Sequence, residues 1–361
     1  MKIELMLYIY LFICVAMILF NIVTAFVLNR KDKKTDRVSK DFKAEVMVQL
    51  TKIKLGEPCE LQHKKYLRKK LKKVGNMIAF DKMLEEVYID DANTVKEYLS
   101  QLDSVFIELT VSYCGKDTVE TAYFPYIIKK YRLIAYRAFP SIEETLLSLL
   151  DEPSIYCREN TMQALYTTGD SDCIMKALKI IDKSDLFYHG KMLSDGLLNF
   201  TGSAKELNSK IISEFDNFSV EMRVNLLNFL RLSTGDYCEF TCSLLCDESQ
   251  NDEIRYACIR YLGKYHYDKA YETLCFLSNI SNSDKWQYAA IASSALATYP
   301  CENTVNLLKN NLYSFNWYVR SNSAESLERM GITYEQLADV IDGEDRYASE
   351  ILRYRLQKNN L

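Results

Sequence analysis

The first pattern along the chain is an unbroken apolar run. Residues 5–28 contain no charged side chain, and Asn21 and Thr24 are its polar interruptions. As a helix the run is about 36 Å long, enough to cross the roughly 30 Å hydrocarbon core of a bilayer with some tilt. The predicted element is one transmembrane helix within residues 1–29. A cleaved signal peptide is the alternative, because Val23, Thr24 and Ala25 loosely fit a cleavage site. The run is longer than a signal core, however, and little positive charge precedes it.

The second pattern, over residues 30–73, is mixed. Val38, Phe42, Val46, Leu50 and Ile53 fit a helical period, while Val46, Val48 and Leu50 also alternate like a strand. Gly56, Glu57 and Pro58 break whatever precedes them. Residues 30–58 read as a stalk rather than a domain. Leu67, Leu71 and Val74 then form one stripe of a basic helix.

The third pattern is a repeat. The segments RENTMQAL (158–165), KMLSDGLL (191–198), RVNLLNFL (223–230), RYACIRYL (255–262), AIASSAL (ending at 296) and RSNSAESL (320–327) align. Their closing residues are Leu165, Leu198, Leu230, Leu262, Leu296 and Leu327, spaced 33, 32, 32, 34 and 31 apart. A basic residue stands seven positions earlier in five of the six: Arg158, Lys191, Arg223, Arg255 and Arg320, with Ala289 the exception. A polar turn follows most units, and a second apolar segment runs to the next: 171–182, 204–215, 236–247, 268–279, 302–313 and 333–342. Helix pairs at a fixed period are the signature of a solenoid, because each unit needs its neighbours to bury its apolar face. The leucines are expected to fill that shared core.

The pattern resembles the short HEAT repeats of the phycobilisome-lyase type, best at NDEIRYACIRYLGKY (251–265) and NWYVRSNSAESLERMG (316–331). The resemblance covers about residues 146–342. It implies an all-α, right-handed solenoid of stacked antiparallel helix pairs. Residues 74–145 read as degenerate N-terminal repeats, and 146–361 as the solenoid with a C-terminal cap. In such repeats the arginine reaches back to acids and carbonyls of the inter-repeat turns, and Asp151, Asp216 and Asp252 precede three of them. The body from residue 74 onward is expected to fold alone.

Charge sharpens this division. Residues 30–73 hold 16 basic and 6 acidic side chains, whereas 74–361 hold 28 basic and 42 acidic. Arg30, Lys31, Lys33, Lys34 and Arg37 follow the span at once, which predicts the N-terminus outside and the body in the cytoplasm. With Lys64, Lys65, Arg68, Lys69 and Lys70 they form a basic set suited to anionic lipid headgroups. The acidic body argues against nucleic acid as the partner. The 11 cysteines are odd in number and show no paired spacing, which suits a reducing compartment.

Candidate chemistry is sparse. Cys238, Cys242 and Cys246 share a helix face with Cys258 on the next helix, a pattern that fits buried core thiols better than zinc. The three histidines, His63, His189 and His266, lie in no metal or triad motif. The sequence therefore predicts no catalytic residue, cofactor or metal. Tyrosine is abundant, at 26 residues, and Tyr256, Tyr261, Tyr265, Tyr267 and Tyr271 cluster as interface candidates, with packing between helices as the other reading. The expected function is a membrane-tethered scaffold or adaptor that grips a protein on its concave face; a membrane-embedded synthase or transferase is one such partner type. The alternatives are a lyase-like or cofactor-handling HEAT enzyme and, behind it, a nucleic-acid-binding helical-repeat protein.

Overall fold

A computed structural model describes residues 2–114, 118–135, 140–280 and 285–358. The described residues form helices, short 3₁₀ turns and loops, with no β-strand among them. By their internal contacts they divide into two units, Met1–Ile180 and Ile181–Leu361.

The first unit begins with α1 (Lys2–Lys54), a continuous helix of 53 residues. From residue 5 to residue 28 all but Cys14 and Thr24 are exposed, and the window of highest hydropathy has nothing buried. This is the one described helix long and apolar enough to cross a membrane. The strand alternative at Val46, Val48 and Leu50 gives way to the helical one. Phe42, Val46, Leu50 and Ile53 are buried on one stripe, whereas Met47 and Val48 face outward. Residues 30–54 are thus no separate stalk: they extend the same helix, and its far half packs on α3 (Val74–Asp90) and α4 (Ala92–Ser100). The helix stops where Gly56 takes a left-handed φ of +80°, a conformation that costs glycine little.

Between them, α2 (Leu61–Leu71) runs back along α1. Glu60, just before α2, bonds Gln49 and Lys52 of α1, and midway Tyr66 meets Phe42 with ring centroids 6.0 Å apart. Then follow α5 (Asp103–Tyr113), α6 (Thr118–Lys130), α7 (Pro140–Ser148), α8 (Ile155–Leu165) and α9 (Ser171–Lys183), which reaches the unit boundary. Within this unit α6 packs on α8, and α5 packs on α2, α6 and α7.

The second unit holds the regular part. Its helices are α10 (Gly190–Leu197), α11 (Ala204–Ser213), α12 (Val220–Ser233), α13 (Cys238–Cys246), α14 (Asp252–Leu262), α15 (Tyr271–Ser278), α16 (Trp286–Ala295), α17 (Glu302–Asn311), α18 (Trp317–Arg329), α19 (Ala338–Ile341) and α20 (Arg346–Lys358). The even-numbered helices α10 to α20 form a row in which each packs on the next. Contacts run start to start and end to end, so neighbours in the row are parallel. Tyr288 near the start of α16 bonds Asp252 at the start of α14 (2.6 Å), and Thr298 just past α16 bonds Gly263 just past α14 (2.6 Å). Helices α13, α15, α17 and α19 each pack on the even-numbered helix that follows them.

Of the repeat leucines, Leu165, Leu230, Leu262, Leu296 and Leu327 are fully buried. Leu198 is the exception at 47% exposed, with Leu197 buried in its place. Arg158, Arg223, Arg255 and Arg320 each sit fourth in their helix, whereas Lys191 sits second in α10. The repeat register therefore slips in this short helix, and Lys191 points to solvent.

Candidate binding surface

The arginine ladder holds turns together. Arg158 donates from Nη1 to the carbonyls of Glu152 (2.7 Å) and Pro153 (3.0 Å), and Arg320 does the same to Ser314 (2.6 Å) and Phe315 (3.1 Å). Arg255 donates from Nε to Leu245 O at 3.0 Å and lies 5.0 Å from the Tyr288 ring centroid. Arg223 meets Asp216 at 3.6 Å, but that carboxylate is largely exposed. A companion signal in the sequence marks the same joints: an asparagine two residues after three of the arginines. Asn160 and Asn322 donate to Ala122 O (3.0 Å) and Ala290 O (2.7 Å) on the neighbouring helix, and Asn225 packs against Gly190 so closely that a Cβ there would lie 2.1 Å from its Oδ1.

The clustered tyrosines pack between helices and across turns. Tyr256 and Tyr261 are buried, and the others are tied down by their hydroxyls or backbone. Tyr261 Oη donates to Thr234 O (2.8 Å) and accepts from Tyr237 N (3.1 Å), clipping the turn of the preceding hairpin. Tyr299 repeats the device one unit on, with Leu262 O at 3.0 Å and Tyr267 N at 3.2 Å. Tyr265 bonds Arg231 O at 3.0 Å, and Tyr271 meets Cys301 Sγ at 3.0 Å. Rings placed between helices with a satisfied hydroxyl serve packing, since a buried phenol needs its partner.

Different aromatics are exposed. Phe315 is 92% accessible, and Trp317, Tyr318, Tyr347 and Tyr354 are each more than half accessible. They gather at α18 and α20, where Trp317, Arg320, Tyr347, Ile351 and Tyr354 line a groove of about 450 Å³. Trp286 of α16 extends the patch by stacking on Tyr318 at 5.3 Å and 13°. Arg320, held by its two carbonyls, lies 5.3 Å from the Tyr347 centroid and braces that ring. Composition alone pointed to the tyrosine-rich segment at 255–274. Phe315, in the turn before α18, and Trp317, its first residue, lie outside that segment.

The basic set divides by position. Because α2 runs back along α1, its end returns to where the apolar run of α1 finishes. Leu28, Lys31, Lys34, Val38, Lys73 and Ile78 line one cleft there together with Asp32, Asp36 and Lys82, the last two paired at 2.6 Å, so that its lysines outnumber its carboxylates. Lys33 and Arg37 are exposed on the same stretch, and Arg30 lies over the Phe26 ring at 5.3 Å. Lys69 is exposed on α2, and Lys70 rests over the Tyr66 ring at 5.7 Å. Lys64 and Lys65 start α2, level with residues near Val46 and thus about 27 Å along α1 from Leu28. Arg68 is engaged by Glu108 (3.0 Å) and Ser104 (3.0 Å).

Other polar clusters act as fasteners. Buried Asp81 accepts bonds from Tyr123 (2.8 Å), Tyr131 (2.7 Å) and Lys130 (2.6 Å), which joins α3 to α6 and the turn after it. The cysteine stripe runs from half-buried Cys238 through buried Cys242 to exposed Cys246. Burial pushes the Cys242 thiol up to about 11 and raises Cys258 as well. Among the described residues no group of three or more His, Cys, Asp and Glu is placed to hold a metal ion. His63 is buried with Nε2 2.8 Å from Tyr98 Oη, and His266 is exposed between Thr298 O and Asp268. His189 caps α10 by accepting from Lys191 N at 3.2 Å.

Compared with known proteins, the chain matches no family model, and no curated protein is significantly similar to it.

Proposed function

We propose that this chain is a membrane-tethered scaffold that holds a protein partner on the aromatic surface of α16, α18 and α20. The reading rests on one observation: three rings that are each more than half exposed, Trp317, Tyr347 and Tyr354, line a single groove, with Phe315 and Tyr318 close by in sequence and Arg320 bracing Tyr347. Isolated exposed rings need no explanation, but a contiguous set marks an interaction site. In this proposal the parallel row is a HEAT-like, right-handed solenoid. The helix of residues 5–28 spans the bilayer with its N-terminus outside, and the rest of the chain is cytoplasmic. The basic cleft around Lys31, Lys34 and Lys73 then lies within one to two turns of the headgroups, where each cation contributes about 1 kcal/mol toward an anionic leaflet. A protein held there searches in two dimensions and at raised local concentration, so a membrane-embedded synthase or transferase is the partner type it suits.

The test is a photocrosslinking residue at Trp317 in the full chain, in native membranes. A discrete protein adduct that disappears with Phe315→Ser or Tyr347→Ser supports the reading. Adducts to lipid alone, or a protein adduct indifferent to both substitutions, would remove it.

A further inference from the structure

A second groove, of about 580 Å³, lies along the C-terminal halves of the row from α12 to α18. Its walls carry Arg231, Arg260, Lys264 and Arg329, and no carboxylate lines it. Helix α16 gives the floor, with Ile291, Ser294 and Ala295 where its neighbours place cations. Favourable helix dipoles account for a basic residue in the last turn of α12, α14 or α18. They do not account for four such groups converging on one lining, in a region where acidic residues outnumber basic ones by 42 to 28. The Nε of Arg231 is buried and has no hydrogen-bond partner. Partial desolvation, together with the Arg231 charge, holds Arg260 below the usual guanidinium range against the pull of Glu253 two turns back on α14, although much of the side chain stays exposed. Lys264 donates to Arg231 O at 2.8 Å, which fixes it at the rim.

Like charges gathered on a lining that carries no carboxylate leave a local field that an anion relieves. The guanidinium fork matches phosphate oxygens in pairs, and three of the four cations are arginines. The size is that of a small-molecule site. No aromatic ring lines the groove, so the stacking platform that single-stranded nucleic acids use is missing. We propose that this groove binds a compact, multiply charged phosphate compound, a polyphosphate or a bisphosphate ester, with Arg231, Arg260 and Arg329 as its principal ligands. The site requires neither the anchor nor the protein partner of the preceding section.

Isothermal titration of the full chain in detergent micelles with inorganic tripolyphosphate tests this. Micromolar binding is expected, weakening as salt rises. Arg260→Gln with Arg329→Gln should reduce affinity at least about tenfold, the loss expected when bonds to a charged ligand are removed. Both side chains are exposed, so the fold should persist, with circular dichroism as the check. Lys269→Gln, an exposed cation outside the groove, should bind like the parent chain. Absence of binding at millimolar tripolyphosphate would overturn the proposal, as would equal affinity in the arginine double variant. A single-stranded RNA that binds more tightly than tripolyphosphate, with the same dependence on Arg260 and Arg329, would overturn it in favour of nucleic acid.

Discussion

At the scale of single residues, the repeat positions differ in what they hold. Leu262 is fully buried between α14 and its neighbours, so Leu262→Ala should lower unfolding free energy by about 2–5 kcal/mol, whereas Leu198→Ala should change it by less than about 0.5 kcal/mol. Urea titration of the two variants, side by side, reads the difference; equal losses would contradict the slipped register of α10. His63 gives a pH signature. Burial lowers it to about 4, from an unfolded value near 6.5, so the unfolded chain binds the proton first. Its contribution is full above pH 6.5 and is lost as pH falls from about 6.5 to 4. Thermal melts of His63→Phe should flatten in that window, and a parent-like slope would show that another group carries it. The leucines and arginines were legible because they recur at one interval. The clip tyrosines and the Arg-x-Asn pairs were present in the same strings, but their roles depend on which carbonyl lies across the next turn.

At the scale of elements, α1 changes the picture most. Its apolar run and its buried stripe belong to one helix, so the body starts within a few turns of the apolar run. The antiparallel course of α2 then sorts the basic residues that the sequence grouped together. For a chain beginning at residue 30, reversing Lys31, Lys34 and Lys73 to Glu should cut binding to phosphatidylserine vesicles more than tenfold in cosedimentation, at about 1 kcal/mol per cation. Reversing Lys64 and Lys65 should have a smaller effect per residue. The opposite order would mean that α2 meets the membrane at its other end. Periodicity alone could not decide residues 38–53, because a short stretch of valines fits both periods; packing on α3 and α4 selects the helix.

At the scale of the whole molecule, side chains on both sides of the expected boundary at residue 74 share one core. Phe42, Val46, Leu50, Leu67 and Leu71 are almost inaccessible in the core of the first unit. A chain of residues 74–361 should aggregate or elute in the void volume on gel filtration, while residues 30–361 should elute as a compact helical species. Monomeric, cooperatively melting 74–361 would show that those side chains are dispensable.

What the sequence determined by itself is the helical class, the apolar run long enough for a bilayer, and the interval of the paired helices, because each follows from local periodicity and composition. Tertiary structure alone decided which rings stay in water, which lysines return to the end of the apolar run, and which arginines meet in one groove. Those outcomes depend on distances between residues about 30 or more apart in the chain, and no local pattern encodes them.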